Sequence, residues 1–255
     1  MSAEERSPTN QRVALVTGAG RNIGRAIALA LAADGAIVVV NARSNHDEIA
    51  AVAREIEAAG GRALPVQADV CDHDAVARMV EAAVDAFGRI DILVNNAAIR
   101  RESALEAISA GDWRRVMAGT LDGAVHCAQA CAPHLRASGA GAIVNIGGLT
   151  AHSGAKMRAH VVAAKAGLTG LTRALAHELA AGNVTVNCVA PGLIDTVRSA
   201  ASSALQPDHH RSAANVLGRR GTPAEVAAAV KYLCGPGARY VTGQTLHVNG
   251  GAWMQ

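Results

Sequence analysis

Seven short, almost wholly apolar runs recur along the chain, and all but the last lead into a longer stretch with helical patterning or into glycines. They cover residues 12–17, 36–40, 63–67, 90–95, 142–146, 184–189 and 245–248. Strands of a sheet with one wet face alternate apolar and polar residues; strands buried on both faces do not. Helices are predicted over residues 23–33, 47–59, 74–87, about 112–134, 155–180 and about 223–233. Buried strands joined by helices specify an α/β protein, a doubly wound parallel sheet with helices on both faces.

No internal repeat and no long linker divides the 255 residues. The predicted organisation is a flexible tail at residues 1–11 and one Rossmann-type domain over 12–255. The stretch 196–213 is polar, rich in small residues, and reads as a mobile loop over the substrate. Half the residues are hydrophobic and 18% are charged, which fits a packed core rather than a disordered chain. A net charge of +3 with no basic tract excludes a nucleic-acid footprint. Aromatics are 2% of the chain (Phe87, Trp113, Trp253, Tyr232 and Tyr240), too few for a stacking platform. No apolar run approaches the roughly 20 residues of a membrane span, and residues 1–10 carry no apolar signal core. The five scattered cysteines, with Cys127 and Cys131 four apart, read as small buried thiols without metal or disulfide. The expected location is cytoplasmic.

The first run leads directly into Thr17-Gly18-Ala19-Gly20-Arg21-Asn22-Ile23-Gly24 and then a helix. Glycines there permit a tight turn and close approach of backbone to phosphate, and the helix N-terminus offers free N–H groups to a pyrophosphate. The acid that would hold a ribose 2′-hydroxyl about 20 residues on is missing. The second run ends instead in Asn41-Ala42-Arg43. Arg21 and Arg43 suit a 2′-phosphate, which arginine binds by paired hydrogen bonds, so NADP(H) is expected in preference to NAD(H).

With these motifs in hand, the chain resembles the classical short-chain dehydrogenase/reductase family over about residues 12–253. The glycine loop matches the opening motif except that Asn22 replaces its middle glycine. Asp69-Val70 resembles the adenine-contacting pair. Asn95-Asn96-Ala97-Ala98 resembles the stretch after the fourth strand. Pro191-Gly192-Leu193-Ile194-Asp195-Thr196 resembles the segment that cradles the nicotinamide. The resemblance implies a seven-stranded parallel sheet and a homodimer or homotetramer. It also implies cofactor contacts at Gly18, Arg21, Asn22, Ile23, Gly24, Arg43, Asp69, Val70, Asn95, Ala97, Lys165, Pro191, Gly192, Ile194 and Thr196. Residues 241–244 and 249–251 resemble the family's subunit-contact segment.

The family's catalytic residues do not all carry over. Lys165 matches the lysine of its Tyr-x-x-x-Lys pair, but Val161 stands for the tyrosine. Gly148 stands for the serine and Thr120 for the helix asparagine. Valine cannot move a proton, and glycine has no side-chain donor. Tyr232 and Tyr240 are expected to be packing residues. The remaining catalytic candidates are Lys165, with His160, His152 or ordered water in place of the tyrosine as proton donor; Lys165 is also implied to hold the nicotinamide ribose. Thr150 and Arg158 are candidates for the substrate, with Arg158 as anchor for a carboxylate or phosphate; Arg100 and Arg101 lie on a neighbouring rim. No metal site is expected.

Three readings follow. The first is an NADP(H)-dependent oxidoreductase acting on a small carbonyl or alcohol, with the basic rim residues leaning towards an anionic one, and with an atypical proton donor. The second is a lyase, isomerase or hydrolase on the same fold. The third is an inactive dinucleotide-binding subunit, paired with an active relative.

Overall fold

A computed structural model describes residues 11–197 and 215–254. The elements are β1 (Val13–Val16), α1 (Asn22–Ala33), β2 (Ile37–Ala42), α2 (His46–Ala58), β3 (Ala63–Gln67), α3 (His73–Phe87) and β4 (Ile92–Asn95). They continue as α4 (Ala110–Met117), α5 (Gly123–Ala137), β5 (Ala142–Ile146), α6 (Thr150–Ser153), α7 (Ala159–Leu179), β6 (Thr185–Pro191), α8 (Pro223–Cys234) and β7 (Thr245–Val248). All seven strands form one parallel sheet in the order β3-β2-β1-β4-β5-β6-β7. Strand order reverses between β1 and β4, where open α/β sheets form their ligand crevice.

Alternate residues of a strand face opposite sides, so each strand feeds two cores. Ala14 and Val16 of β1 join Val38, Val40, Val144 and Ile146 beneath α1 and α8. Val13 and Leu15 join Val39, Leu93, Ile143 and Val186 beneath α3, α5 and α7. Polar caps set several helix starts. Asn45 accepts from the Glu48 N–H, Asp72 from those of Asp74 and Ala75, and Thr222 with Glu225 forms a reciprocal capping box.

Two helix boundaries differ from expectation. The long helix predicted over 112–134 is broken by a π-helical turn at Ala118–Asp122 between α4 and α5. The helix predicted from residue 155 starts at Ala159, because Gly154 (φ 72°) and Met157 (φ 59°) take left-handed conformations that interrupt a right-handed helix. Arg158 is therefore the N-cap of α7 rather than a residue within it.

Tyr232 and Tyr240 are not packed inside, as expected, but are 50% and 103% exposed. The inner face of α8 is taken by Val226, Ala227, Val230 and Leu233, which leaves Tyr232 outside. Cys127 and Cys131 are fully buried free thiols, and burial raises the pKa of both. Residues 1–10 of the predicted tail, and residues 198–213 of the predicted loop with His209 and His210, lie outside the described residues. Among the described residues no helix is long and apolar enough to cross a membrane.

Candidate active site

The loops after β1 and β4 are fastened to each other at the sheet's reversal point. The Thr17 hydroxyl accepts the backbone N–H groups of Asn96 and Ala97, each at 3.0 Å. The Asn96 amide donates to the carbonyls of Thr17 and Gly18, each at 2.9 Å. Gly24 has no alternative: a Cβ there would lie 2.2 Å from the Gly18 carbonyl oxygen. The start of α1 thus lies tight against the turn. Its N-cap, Arg21, makes no side-chain cap, so the first-turn N–H groups around Asn22, Ile23 and Gly24 keep their capacity for an anion.

Asn22 replaces the family's middle glycine at φ 50°, a left-handed conformation that asparagine tolerates. Its side chain also reaches across the crevice. It donates to the Val197 carbonyl at 2.8 Å and accepts the Val197 N–H at 2.9 Å.

Arg21 and Arg43 are both exposed, at the loop and at the end of β2. Asp69 accepts the Cys71 N–H at 3.0 Å. Burial and then Asp69 push the Cys71 thiol up to about 11, with the Arg43 charge opposing them. The Arg43 charge is thus felt at Cys71, the residue after Val70. Val70 is buried and its side chain supports Gly123, where a Cβ would meet it at 2.7 Å.

On the far wall, Pro191 accepts the Leu149 N–H and Gly192 donates to the Val248 carbonyl, both at 2.9 Å. A Cβ on Gly192 would come within 2.7 Å of Asn249. Ile194 is 8% exposed and bridges to Gly221, and the half-exposed Thr196 follows.

Beneath the crevice runs a buried amide chain. Asn95 donates to Asn145 at 2.9 Å, Asn145 to Thr172 at 2.9 Å, and Thr172 to the Leu168 carbonyl at 2.7 Å. It ties β4 to β5 to α7. The Asn95 side chain serves this core, whereas Asn96, not singled out from sequence, fastens the glycine loop. Thr17 was missed in the same way. The Thr17-Gly18 and Asn95-Asn96 pairs were visible, but which side chain faced which way was not.

At the catalytic positions the structure shows space and apolar packing. A Cβ on Gly148 would meet nothing within 4 Å. Val161 is 3% exposed and packs with Val116 and Ala164, beside Ile99 and Met117. Thr120 lies buried in the π-turn, where its hydroxyl accepts the Ile99 N–H at 3.3 Å.

Lys165 is buried, and its Nζ donates to the Ile146 carbonyl at the end of β5. Burial above all, then the Arg100 charge, with Cys188 opposing and Arg158 assisting, lowers its pKa to about 7.

The two candidate histidines lie in other surroundings. His160 is wholly enclosed, and neither ring nitrogen has a hydrogen-bond partner among the described residues. Burial lowers its pKa against the pull of Asp112, with Arg101 and Arg158 assisting. His152 stacks edge-on to His247 at 4.6 Å and lies 5.1 Å from Trp253. Burial, then Arg173, lowers its pKa.

Thr150 opens α6 and is half-buried. Arg158 is 8% exposed and lies 3.9 Å from Glu102. The Ser103 N–H donates to the Met157 carbonyl at 2.8 Å, which closes the loop after β4 onto the entry to α7. Among the described residues no cluster of side chains could hold a metal ion.

A seven-stranded doubly wound sheet with a glycine loop at its reversal point defines a dinucleotide-binding α/β protein. The family profile described as "Enoyl-(Acyl carrier protein) reductase" matches residues 18–252. The 3-oxoacyl-[acyl-carrier-protein] reductase FabG of Staphylococcus aureus (strain Mu50) is 40% identical over 242 residues, 94% of this chain and 98% of that protein. The 3-oxoacyl-[acyl-carrier-protein] reductase of Synechocystis sp. is 43% identical over 249 residues, 95% of this chain and 97% of that protein. A solved short chain dehydrogenase from Burkholderia cenocepacia J2315, in complex with NADP, superposes with a TM-score of 0.87 at 37% identity, covering 95% of this chain and 97% of that one. The chain belongs to the short-chain dehydrogenase/reductase family, a family of oxidoreductases.

The residues present fit a nicotinamide dinucleotide. Gly18, Asn22, Ile23 and Gly24 offer backbone to its pyrophosphate, and the uncapped α1 start is an anion site. The bound group would supply or accept hydride.

Proposed function

We propose that the protein is an NADP(H)-dependent oxidoreductase that interconverts a small carbonyl compound and its alcohol without a tyrosine proton donor. One observation carries this reading: the dinucleotide crevice is fully built, from the Thr17–Asn96 fastening to the uncapped start of α1. The solved relative in complex with NADP and the 3-oxoacyl reductases among its relatives support it. Exposed Arg21 and Arg43 favour the phosphorylated dinucleotide. Lys165 holds the nicotinamide ribose, and Arg158 and Thr150 stand at the substrate wall, where the guanidinium suits an anionic group. The working unit is a cytoplasmic homodimer or homotetramer.

Fluorescence titration with NADPH and NADH tests this directly. Micromolar binding that favours NADPH, followed by NADPH-dependent reduction of a carbonyl panel, is the expected result. Binding of neither nucleotide overturns the reading.

The apolar packing of Val161 against Val116 and Ala164 favours a second reading, an inactive dinucleotide-binding subunit paired with an active relative. Tight nucleotide binding without turnover, and co-purification with a second family member, would select it. Turnover of a substrate with no change in nicotinamide absorbance would select a lyase, isomerase or hydrolase instead.

A further inference from the structure

The oxidoreductase reading leaves the proton without a source, and the surroundings of each candidate narrow the choice. Val161 is apolar and Gly148 has no side chain. Thr120 is buried in the π-turn, where its hydroxyl accepts the Ile99 N–H. Tyr232 and Tyr240 are on the outside of the molecule. His160 is enclosed against α4, with Asp112 and Arg101 as its charged neighbours. His152 belongs to the His247–Trp253 group beside β7.

Among these groups of the described residues, Lys165 is the exception. It lies one helical turn after Val161 and therefore on the same face of α7. Its Nζ already rests at the C-terminal end of β5, on the Ile146 carbonyl, two residues before Gly148. That is the end of the sheet where ligands bind in open α/β folds. A Cβ on Gly148 would meet no atom of the described residues within 4 Å. A lysine amine on its flexible four-carbon stem can turn from a backbone carbonyl to a substrate oxygen.

We propose that Lys165 is itself the proton donor and acceptor of the reaction, acting on the substrate oxygen in the open space beside Gly148. The proposal rests on the oxidoreductase reading above. In reduction, the carbonyl carbon accepts hydride from the reduced nicotinamide while the carbonyl oxygen takes a proton as an Nζ–H bond breaks. The products are an alcohol, the oxidised nicotinamide and a neutral amine, which regains a proton from water. Oxidation is the reverse and starts from the neutral amine.

A buried amine with a pKa of about 7 has both forms available near neutrality, as an acid–base catalyst requires. The groups that face it are Arg100 after β4, Arg158 at the entry to α7 and Cys188 on β6. Glu102 stands beside Arg158. Reduction needs the ammonium, so its rate should fall as pH rises through about 7, and oxidation should rise over the same interval.

Two measurements test this. The chain has three lysines, Lys156, Lys165 and Lys231. Nuclear magnetic resonance of isotope-labelled lysine side chains in the nucleotide-free protein reads each titration separately, with Lys165 identified by its loss in Lys165→Met. Titration of Lys165 near neutrality supports the proposal; titration above about 10, the usual lysine range, overturns it.

The second measurement compares wild type with Lys165→Arg, which keeps the charge but cannot release a proton. The assay is NADPH oxidation with ethyl acetoacetate and a panel of 3-oxoacyl thioesters, alongside NADPH titration. The expected result, read at saturating NADPH, is reduction slower by about 100-fold or more and loss of the pH limb near neutrality, whatever the change in nucleotide affinity. A Lys165→Arg protein that keeps rate and limb overturns this assignment alone. Tight NADPH binding with no reduction by wild type overturns the oxidoreductase reading, and the assignment with it.

Discussion

Asn22 and Val197 exchange two hydrogen bonds, of 2.8 Å and 2.9 Å, between the side chain of the glycine loop and the backbone that follows β6. The pair spans the mouth of the crevice in which a dinucleotide's phosphates would lie. A bound nucleotide must leave past it or through its opening. Asn22→Gly keeps the left-handed backbone at no steric cost and removes both bonds. Each is worth about 0.5–1.5 kcal/mol. NADPH should dissociate up to about 10-fold faster from the variant, and its melting temperature should fall by a few degrees. Stopped-flow nucleotide displacement reads this, and an unaltered off-rate would refute the clasp.

Restoring the family's catalytic groups should have unequal costs. Gly148→Ser adds atoms where a Cβ meets nothing within 4 Å, so its melting temperature should stay near wild type. Val161→Tyr forces a ring into the contact with Val116 and Ala164, at a cost of about 1–3 kcal/mol. Thermal melts of the two single variants decide this. Equal melting temperatures would show that position 161 is less filled than described.

The amide chain under the crevice should matter for stability. Thr172→Val leaves the Asn145 amide buried without its acceptor, which costs about 1–3 kcal/mol. Urea unfolding should show a lower midpoint with an unchanged slope. A midpoint equal to wild type would mean that another acceptor replaces the hydroxyl.

Stability should rise with pH through two windows. His152, His160 and His247 have pKa values lowered chiefly by burial, so the unfolded chain binds more protons than the folded one as pH falls through about 6.5. Their contribution is present above that pH and lost below it. Lys165, lowered to about 7 from 10.5, makes the folded state bind fewer protons above about 7. Stability from this source should therefore increase from about 7 towards 9. Beyond that the buried thiols, with raised values, act in the opposite sense. Melting temperature against pH should climb in both windows, and Lys165→Met should flatten the upper one. A curve identical to wild type above neutrality would contradict the burial of a titrating amine.

Much of the sheet was readable because its strands are buried on both sides, and such runs differ visibly from everything around them. Helix interruptions were not readable. Met157 gives no sign that it takes a left-handed turn, so the start of α7 was placed too early and Arg158 inside the helix. The π-turn holds Gly119, where a Cβ would lie 2.6 Å from Ile99, and Thr120, whose hydroxyl accepts the Ile99 N–H, and neither contact is visible from the local sequence. Asn22 read as a flaw in a glycine motif, whereas its side chain bridges the crevice. The catalytic positions were legible only as absences. That Lys165 reaches the Ile146 carbonyl, while His160 faces Asp112, depends on side-chain direction, which spacing along a helix narrows but does not determine.

The π-turn at Ala118–Asp122 works as a phase shifter. One added residue advances a helix by about 100° of rotation. α4 can thus present Val116 to Val161 at the site, while α5, its continuation, presents Cys127 and Cys131 to the sheet core. Deleting one residue there would bring the two helices back into step. It would then turn one of these faces, the site's or the sheet's, away from its partner.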